Sequence, residues 1–170
     1  MTTPLPSPAS SHGWQFTSSS EAETEALAKH LADALEPGTV VALVGNLGAG
    51  KTRLVRAVAE ALGVDPRAIA SPTFVLVHEY AGRLPIFHFD IYRLRNPADF
   101  LDLGADEYLN AEGVCFVEWA DRVEELLPSD HLRIEITPTG PTHRTFRFVP
   151  RGERSCALVA RLQANFEIAR

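Results

Sequence analysis

Two hydrophobic periodicities divide the first third of this chain. Leu27, Leu31 and Leu35 recur at helical spacing, which predicts an amphipathic helix. Ser18-Ser19-Ser20 offers its side-chain cap, Glu21 and Glu23 put acid in its first turn, and Pro37-Gly38 ends it. Thr39 to Val44 is instead a short, continuous, Val-rich apolar run that stops at glycine, the pattern of a strand buried on both faces. After a glycine-rich loop, Lys51 to Leu62 returns to helical spacing, with Leu54, Val55, Val58 and Leu62 on one side and Gly63 past its end.

The remainder alternates in the same way. Trp14-Gln15-Phe16 predicts a short strand, and Phe74–Tyr80 and Leu84–Ile91 a hairpin turning at Ala81-Gly82-Arg83. Asn96-Pro97-Ala98-Asp99 starts a short helix through Leu103, stopped at Gly104. Val114–Val117 is another buried strand, ending in Glu118-Trp119, and Asp121–Leu127 a helix stopped by Pro128. His131–Thr137 and Thr145–Val149 form a second hairpin around Pro138-Thr139-Gly140-Pro141, and residues 153–166 a closing amphipathic helix. Strand, glycine loop and helix in succession predict an α/β fold, a P-loop NTPase-like three-layer domain. Its central sheet is mixed and largely parallel, with β-hairpin additions. Residues 1–13, rich in Pro, Ser and Thr, read as a flexible tail, and residues 14–170 as one domain.

Composition narrows the function. With 170 residues, 45% apolar and 22% charged, the chain is neither disordered nor a disulfide-stapled miniprotein. A net charge of −6 argues against stand-alone nucleic-acid binding, so any RNA would be met only indirectly, through a partner. Cys115 and Cys156 each sit in an apolar run and read as buried, reduced thiols. No apolar stretch approaches the roughly 20 residues of a membrane span, and the first residues lack a signal-peptide pattern. The expected compartment is the cytoplasm, without membrane association.

Gly45-Asn46-Leu47-Gly48-Ala49-Gly50-Lys51-Thr52 fits G-x-x-x-x-G-K-[ST]. Glycines let the backbone curl so that the amides of Leu47, Gly48, Ala49, Gly50, Lys51 and Thr52 point inward at phosphate oxygens, and the following helix adds its positive end. Lys51 would reach the β- and γ-phosphates of a nucleotide, and the Thr52 hydroxyl would bind Mg²⁺. Of the sixteen basic residues only Lys29 and Lys51 are Lys. A chain that otherwise uses Arg keeps the compact ammonium here, where a planar guanidinium is too bulky for a phosphate cradle.

A phosphate-bound Mg²⁺ needs a carboxylate from the end of a neighbouring strand. Glu118 is favoured as metal ligand because its strand is the plainer central one. Asp90 then either orients water or binds the metal through water. Trp119 either covers the nucleotide or fills core. His88, two residues before Asp90 on the same strand face, reads as a structural hydrogen-bonding residue. Ser71-Pro72-Thr73 is either a γ-phosphate-sensing switch or a simple turn. Arg93 and Arg95 read as a solvated face, and Arg144, Arg147, Arg151 and Arg154 as a dispersed basic surface.

Four motifs stand in order: Gly45 to Thr52, Ser71-Pro72-Thr73-Phe74, His88-Phe89-Asp90-Ile91-Tyr92-Arg93 and Val117-Glu118-Trp119-Ala120. Together they resemble the TsaE family, the small ATPase of tRNA threonylcarbamoyladenosine biosynthesis, over about Phe16 to Val149. The His-x-Asp-x-Tyr-Arg and Glu-Trp motifs single the family out. The resemblance implies weak Mg²⁺-dependent ATP hydrolysis that depends on the partner proteins TsaD and TsaB. Those partners modify adenosine 37 of tRNAs reading codons that start with A, and the ATPase resets their cycle. It further implies that Lys51 is the phosphate lysine and that Thr52 and Glu118 are metal ligands. Asp90 would contact the nucleotide site, Thr73 would lie on a switch-like loop and Glu21 near the base. Asn46 replaces a frequent Asp, at a position where only the backbone faces phosphate.

Two rival readings share the phosphate loop. A small-molecule kinase would need an acceptor pocket and an arginine-rich lid. A nucleotide-gated binding module would hydrolyse nothing. No Asn-Lys-x-Asp motif for guanine and no Leu-Ser-Gly-Gly transporter motif is present.

Overall fold

The structure, a computed structural model, describes residues 13–69 and 75–169. The Ser71-Pro72-Thr73 segment and residues 1–12 lie outside the described residues. Among those described, seven strands form one sheet: β1 (Trp14–Ser18), β2 (Val40–Val44), β3 (Val77–Ala81), β4 (Pro85–Asp90), β5 (Val114–Glu118), β6 (Leu132–Pro138) and β7 (Arg144–Pro150). Their spatial order is β1-β7-β6-β2-β5-β4-β3. The central strands β6, β2, β5 and β4 are parallel, while β3, β7 and β1 add antiparallel to the two sides. The parallel character is thus confined to the middle of a mixed sheet, to which each predicted hairpin gives one central strand (β4, β6) and one antiparallel neighbour (β3, β7).

Alternation along the central strands explains the layers. Val41 and Leu43 of β2 pack into one core with α1 (Glu21–Ala34), α2 (Lys51–Ala61) and α5 (Glu153–Ile168). Val40 and Ala42 face the other way, into a second core with α3 (Ala98–Asp102), α4 (Ala105–Leu109), Val123 and Leu127. In β5, Val114 and Phe116 join the first core, Cys115 and Val117 the second. Strands buried on both faces must read as continuous apolar runs, as β2 and β5 do. Ser20 caps α1 by accepting the Glu23 N–H at 3.2 Å, and the Glu23 carboxylate accepts the Ser19 N–H in return at 2.7 Å.

Two local expectations change. The predicted helix over Asp121–Leu127 is two 3₁₀ turns, Ala120–Arg122 and Glu124–Leu126, broken at Val123. Val123 leaves helical geometry (φ −132°, ψ 19°) and buries its side chain in the second core. The sequence reading also missed α4. Gly104 stops α3 with φ +77°, as predicted, and the chain then turns directly into a further helical segment.

Among the described residues no helix is long and apolar enough to cross a membrane. Cys115 is buried and free, and burial pushes its thiol pKa up to about 12; Cys156 is free and only partly buried. Alkylation of the native protein at pH 8 should therefore label Cys156 and spare Cys115, with both labelled after denaturation. Peptide mass mapping reads this out, and equal labelling of the native thiols would contradict the packing of β5.

Candidate functional site

The site forms where the central strands end. Leu43 of β2 is paired with Glu118 of β5, and Glu118 in turn with Asp90 of β4. By the two-residue alternation, His88, Asp90 and Glu118 share the sheet face occupied by α2. Beyond β2 the chain enters the glycine loop, which delivers Lys51 and Thr52 as the first residues of α2.

The loop is tight. A Cβ on Gly45 would stand 2.6 Å from the Ile136 carbonyl oxygen and 2.9 Å from the Ala49 Cβ. Gly50, the residue before α2, has φ +110°, a conformation that an L side chain rarely adopts. The Arg144 Nε, which donates to the Ala49 carbonyl at 3.0 Å, lies 3.1 Å from where a Gly50 Cβ would be. The free N–H groups and positive end of α2 therefore open beside a backbone that approaches its neighbours closely.

Lys51 is 4% exposed. Its Nζ donates to the carbonyls of Gly45 and Asn46, at 2.5 and 3.1 Å, and sits 3.8 Å from the centre of the Trp119 ring. Burial pulls this ammonium below the ordinary lysine range, against the upward pull of Glu118, Asp90 and Asp121. Glu118 is buried and divided between two donors. The Thr52 Oγ1 donates to Oε2 at 3.0 Å, and the His88 Nε2 bonds Oε1 at 2.7 Å. Burial holds the Asp90 carboxyl above the ordinary range, opposed by the Tyr92 N–H that donates to it, with the Glu118 charge adding to the rise.

A cleft of about 370 Å³ lies over these groups, lined by Lys51, Thr52, Asp90, Glu118, Trp119 and Arg144, together with Leu47, Gly48, Gly50, Arg53 and Tyr92. Most residues predicted for the site are therefore brought together. Ala49 is buried beneath the loop, and its carbonyl serves Arg144. Glu21 lies outside the cleft lining and touches the rim only through Arg53, whose NH1 donates to it at 2.6 Å. Thr73 falls outside the described residues. Trp119 takes φ +62°, the one positive φ of a non-glycine residue among those described, and packs half-buried against Tyr92 at 4.8 Å between centroids. It both lines the cleft and packs against the second core.

Two contributors were missed in the sequence. Arg144 starts β7, far along the chain, and nothing local distinguishes it from the other surface arginines. Arg122 donates to the carbonyls of Ile91, Tyr92 and Leu94, and so ties the segment after Asp90 to the turn after Trp119. Its only local signal is its closeness to Glu118-Trp119.

A Val-rich buried strand, a curled glycine loop feeding a helix with Lys and Thr, and carboxylates at two adjacent strand ends define an α/β protein of the P-loop class. The comparisons carry this further. Residues 18–146 match the family model of the threonylcarbamoyl adenosine biosynthesis protein TsaE. The chain is 43% identical over 148 residues to the tRNA threonylcarbamoyladenosine biosynthesis protein TsaE of Bacillus subtilis, covering 86% of this chain and 92% of that protein. It is 46% identical over 102 residues to the protein of the same name from Treponema pallidum, covering 60% and 75% respectively. A crystal structure of Bacillus subtilis YdiB matches with a TM-score of 0.77 at 37% identity, over 91% of this chain and 96% of that one. The chain belongs to the TsaE family, which serves tRNA threonylcarbamoyladenosine modification as its ATPase subunit.

The loop geometry gives a direct prediction. Gly50→Ala should lower stability by about 1–3 kcal/mol, because it forces an L residue to φ +110° against Arg144. Chemical denaturation measures this, and an unchanged midpoint would show that the loop does not hold this conformation.

Proposed function

We propose that the cleft binds ATP with Mg²⁺ and hydrolyses it, and that turnover resets a TsaB–TsaD complex during modification of adenosine 37 in tRNAs reading codons that start with A. The observation that carries this is the convergence of Lys51, Thr52, Glu118 and Asp90 around one cleft at the N-terminus of α2. The residue roles follow from the chemistry. Amides of Leu47 to Thr52 cradle phosphate oxygens, and Lys51 leaves the loop carbonyls to meet the β- and γ-phosphates. Trp119 flanks that ammonium and closes one side of the cleft.

The donor set suits magnesium. Thr52 and Glu118 offer a hydroxyl and a carboxylate oxygen 3.0 Å apart, and no group of three or more His, Cys, Asp and Glu among the described residues forms a closed cage. Mg²⁺ is typically held by one or two such oxygens, with phosphate oxygens and water completing its shell. When bound, it neutralises negative charge on the β- and γ-phosphates. Thr52 and Glu118 would hold it, and Asp90, half-buried at the neighbouring strand end, orients the attacking water. The net charge of −6 weighs against direct contact with RNA, so we assign contact with tRNA to TsaB and TsaD, and the site of action to the cytoplasm. We assign these roles to a single domain spanning residues 14–170.

Hydrolysis measured with and without TsaB–TsaD tests the reading. We expect marked stimulation by the pair, and a loss of about 10²-fold or more in Lys51→Ala and Glu118→Ala. Cells carrying only either variant should lack threonylcarbamoyladenosine. Absence of stimulation, with phosphate passed to an added metabolite, would favour a kinase instead. Normal modification in the Glu118→Ala strain would point to a module gated by nucleotide without hydrolysis.

A further inference from the structure

We infer that His88 is a positioning residue for Glu118: it fixes the rotation of the carboxylate so that one oxygen faces Thr52 and the cleft. This rests on the assignment of Glu118 as a metal-holding group. His88 is 2% exposed and lies on β4 between Phe87 and Phe89. On its own strand face the residue two positions earlier is Ile86, part of the first core, so an apolar side chain is the ordinary occupant of such a place. A histidine stands there instead, and its partner is another buried polar group. The strand register supplies the geometry. Asp90 is directly opposite Glu118 and His88 opposite Phe116, which makes His88 the diagonal same-face neighbour of Glu118.

The two oxygens of Glu118 then have different tasks. Oε1 takes the His88 Nε2–H at 2.7 Å, in a contact where both side chains are 3% exposed. Oε2 takes the Thr52 hydroxyl at 3.0 Å at the mouth of the cleft. The terminal carboxylate torsion is broad and nearly two-fold, so a carboxylate held at one oxygen by a single exposed threonine keeps considerable freedom. The second hydrogen bond, made on the buried side, removes that freedom and leaves Oε2 the oxygen free to face a ligand. Outer-shell partners of this kind characteristically govern metal affinity without touching the metal.

Four variants test the idea: His88→Phe, which keeps an aromatic ring and deletes the donor; His88→Gln, whose side-chain amide can still donate; Glu118→Gln; and His88→Phe combined with Glu118→Gln. The measurement is calorimetric affinity for a non-hydrolysable ATP analogue, with and without Mg²⁺. In the wild type, Mg²⁺ should strengthen binding. In His88→Phe that strengthening should shrink by about 10–100-fold, with the metal-free affinity unchanged within about two-fold. His88→Gln should recover most of it. In a Glu118→Gln background, His88→Phe should cost nothing further.

Undiminished strengthening in His88→Phe overturns the inference while leaving the site assignment intact. Loss of the metal-free affinity as well, or His88→Gln no better than His88→Phe, assigns His88 to packing alone and also overturns it. A wild type that binds no nucleotide, or binds it without regard to Mg²⁺, overturns the site assignment and this inference with it.

Discussion

The buried carboxylate of Glu118 is the constraint around which the site is arranged. An ionised carboxylate removed from water is costly unless every oxygen finds a donor. Here the donors come from two other elements, His88 from β4 and Thr52 from α2. Satisfying one side chain thus requires β4 beside β5, and β2 on the other side of β5 to deliver the loop and α2. The parallel centre of the sheet supplies that arrangement; of the antiparallel additions, β7 reaches the loop through Arg144 and β3 sets His78 opposite His88.

Lys51 poses the complementary problem. Its ammonium is nearly as buried as the carboxylate, and it is satisfied within its own loop by the Gly45 and Asn46 carbonyls and by the face of Trp119. Under the proposed function the two side chains that would meet the triphosphate and its metal already hold internal partners: Lys51 the loop carbonyls, Thr52 the Glu118 carboxylate. At these two side chains binding then exchanges partners instead of filling an unsatisfied site. Trp119, held at φ +62° next to Glu118 and over Lys51, sits where that exchange takes place.

Much of this was legible in the sequence, because the decisive signals are local. The loop from Gly45 to Thr52 is contiguous, β2 and β5 read as runs buried on both faces, and Glu118 is the first charged residue after one of them. The site contacts that local patterns do not reveal act at long range. Arg144 reaches Ala49 across 95 positions of chain, and His88 reaches Glu118 across 30. His88 was read as a hydrogen-bonding residue, but its partner depends on strand register, which one sequence does not state. The broken segment after Trp119 failed for a related reason. Helical spacing from Asp121 to Leu127 is real, yet Val123 and Arg122 are drawn to tertiary partners that helix propensity does not see.

The most direct measurement is a crystal structure of the protein with Mg²⁺ and a non-hydrolysable ATP analogue. The account predicts the polyphosphate within the curve of residues 45–52, with the Lys51 Nζ turned from the Gly45 and Asn46 carbonyls onto phosphate oxygens. It also predicts the metal against Thr52 and Glu118, with the His88–Glu118 hydrogen bond kept. A nucleotide seated elsewhere, with Lys51 still on its loop carbonyls, would contradict it.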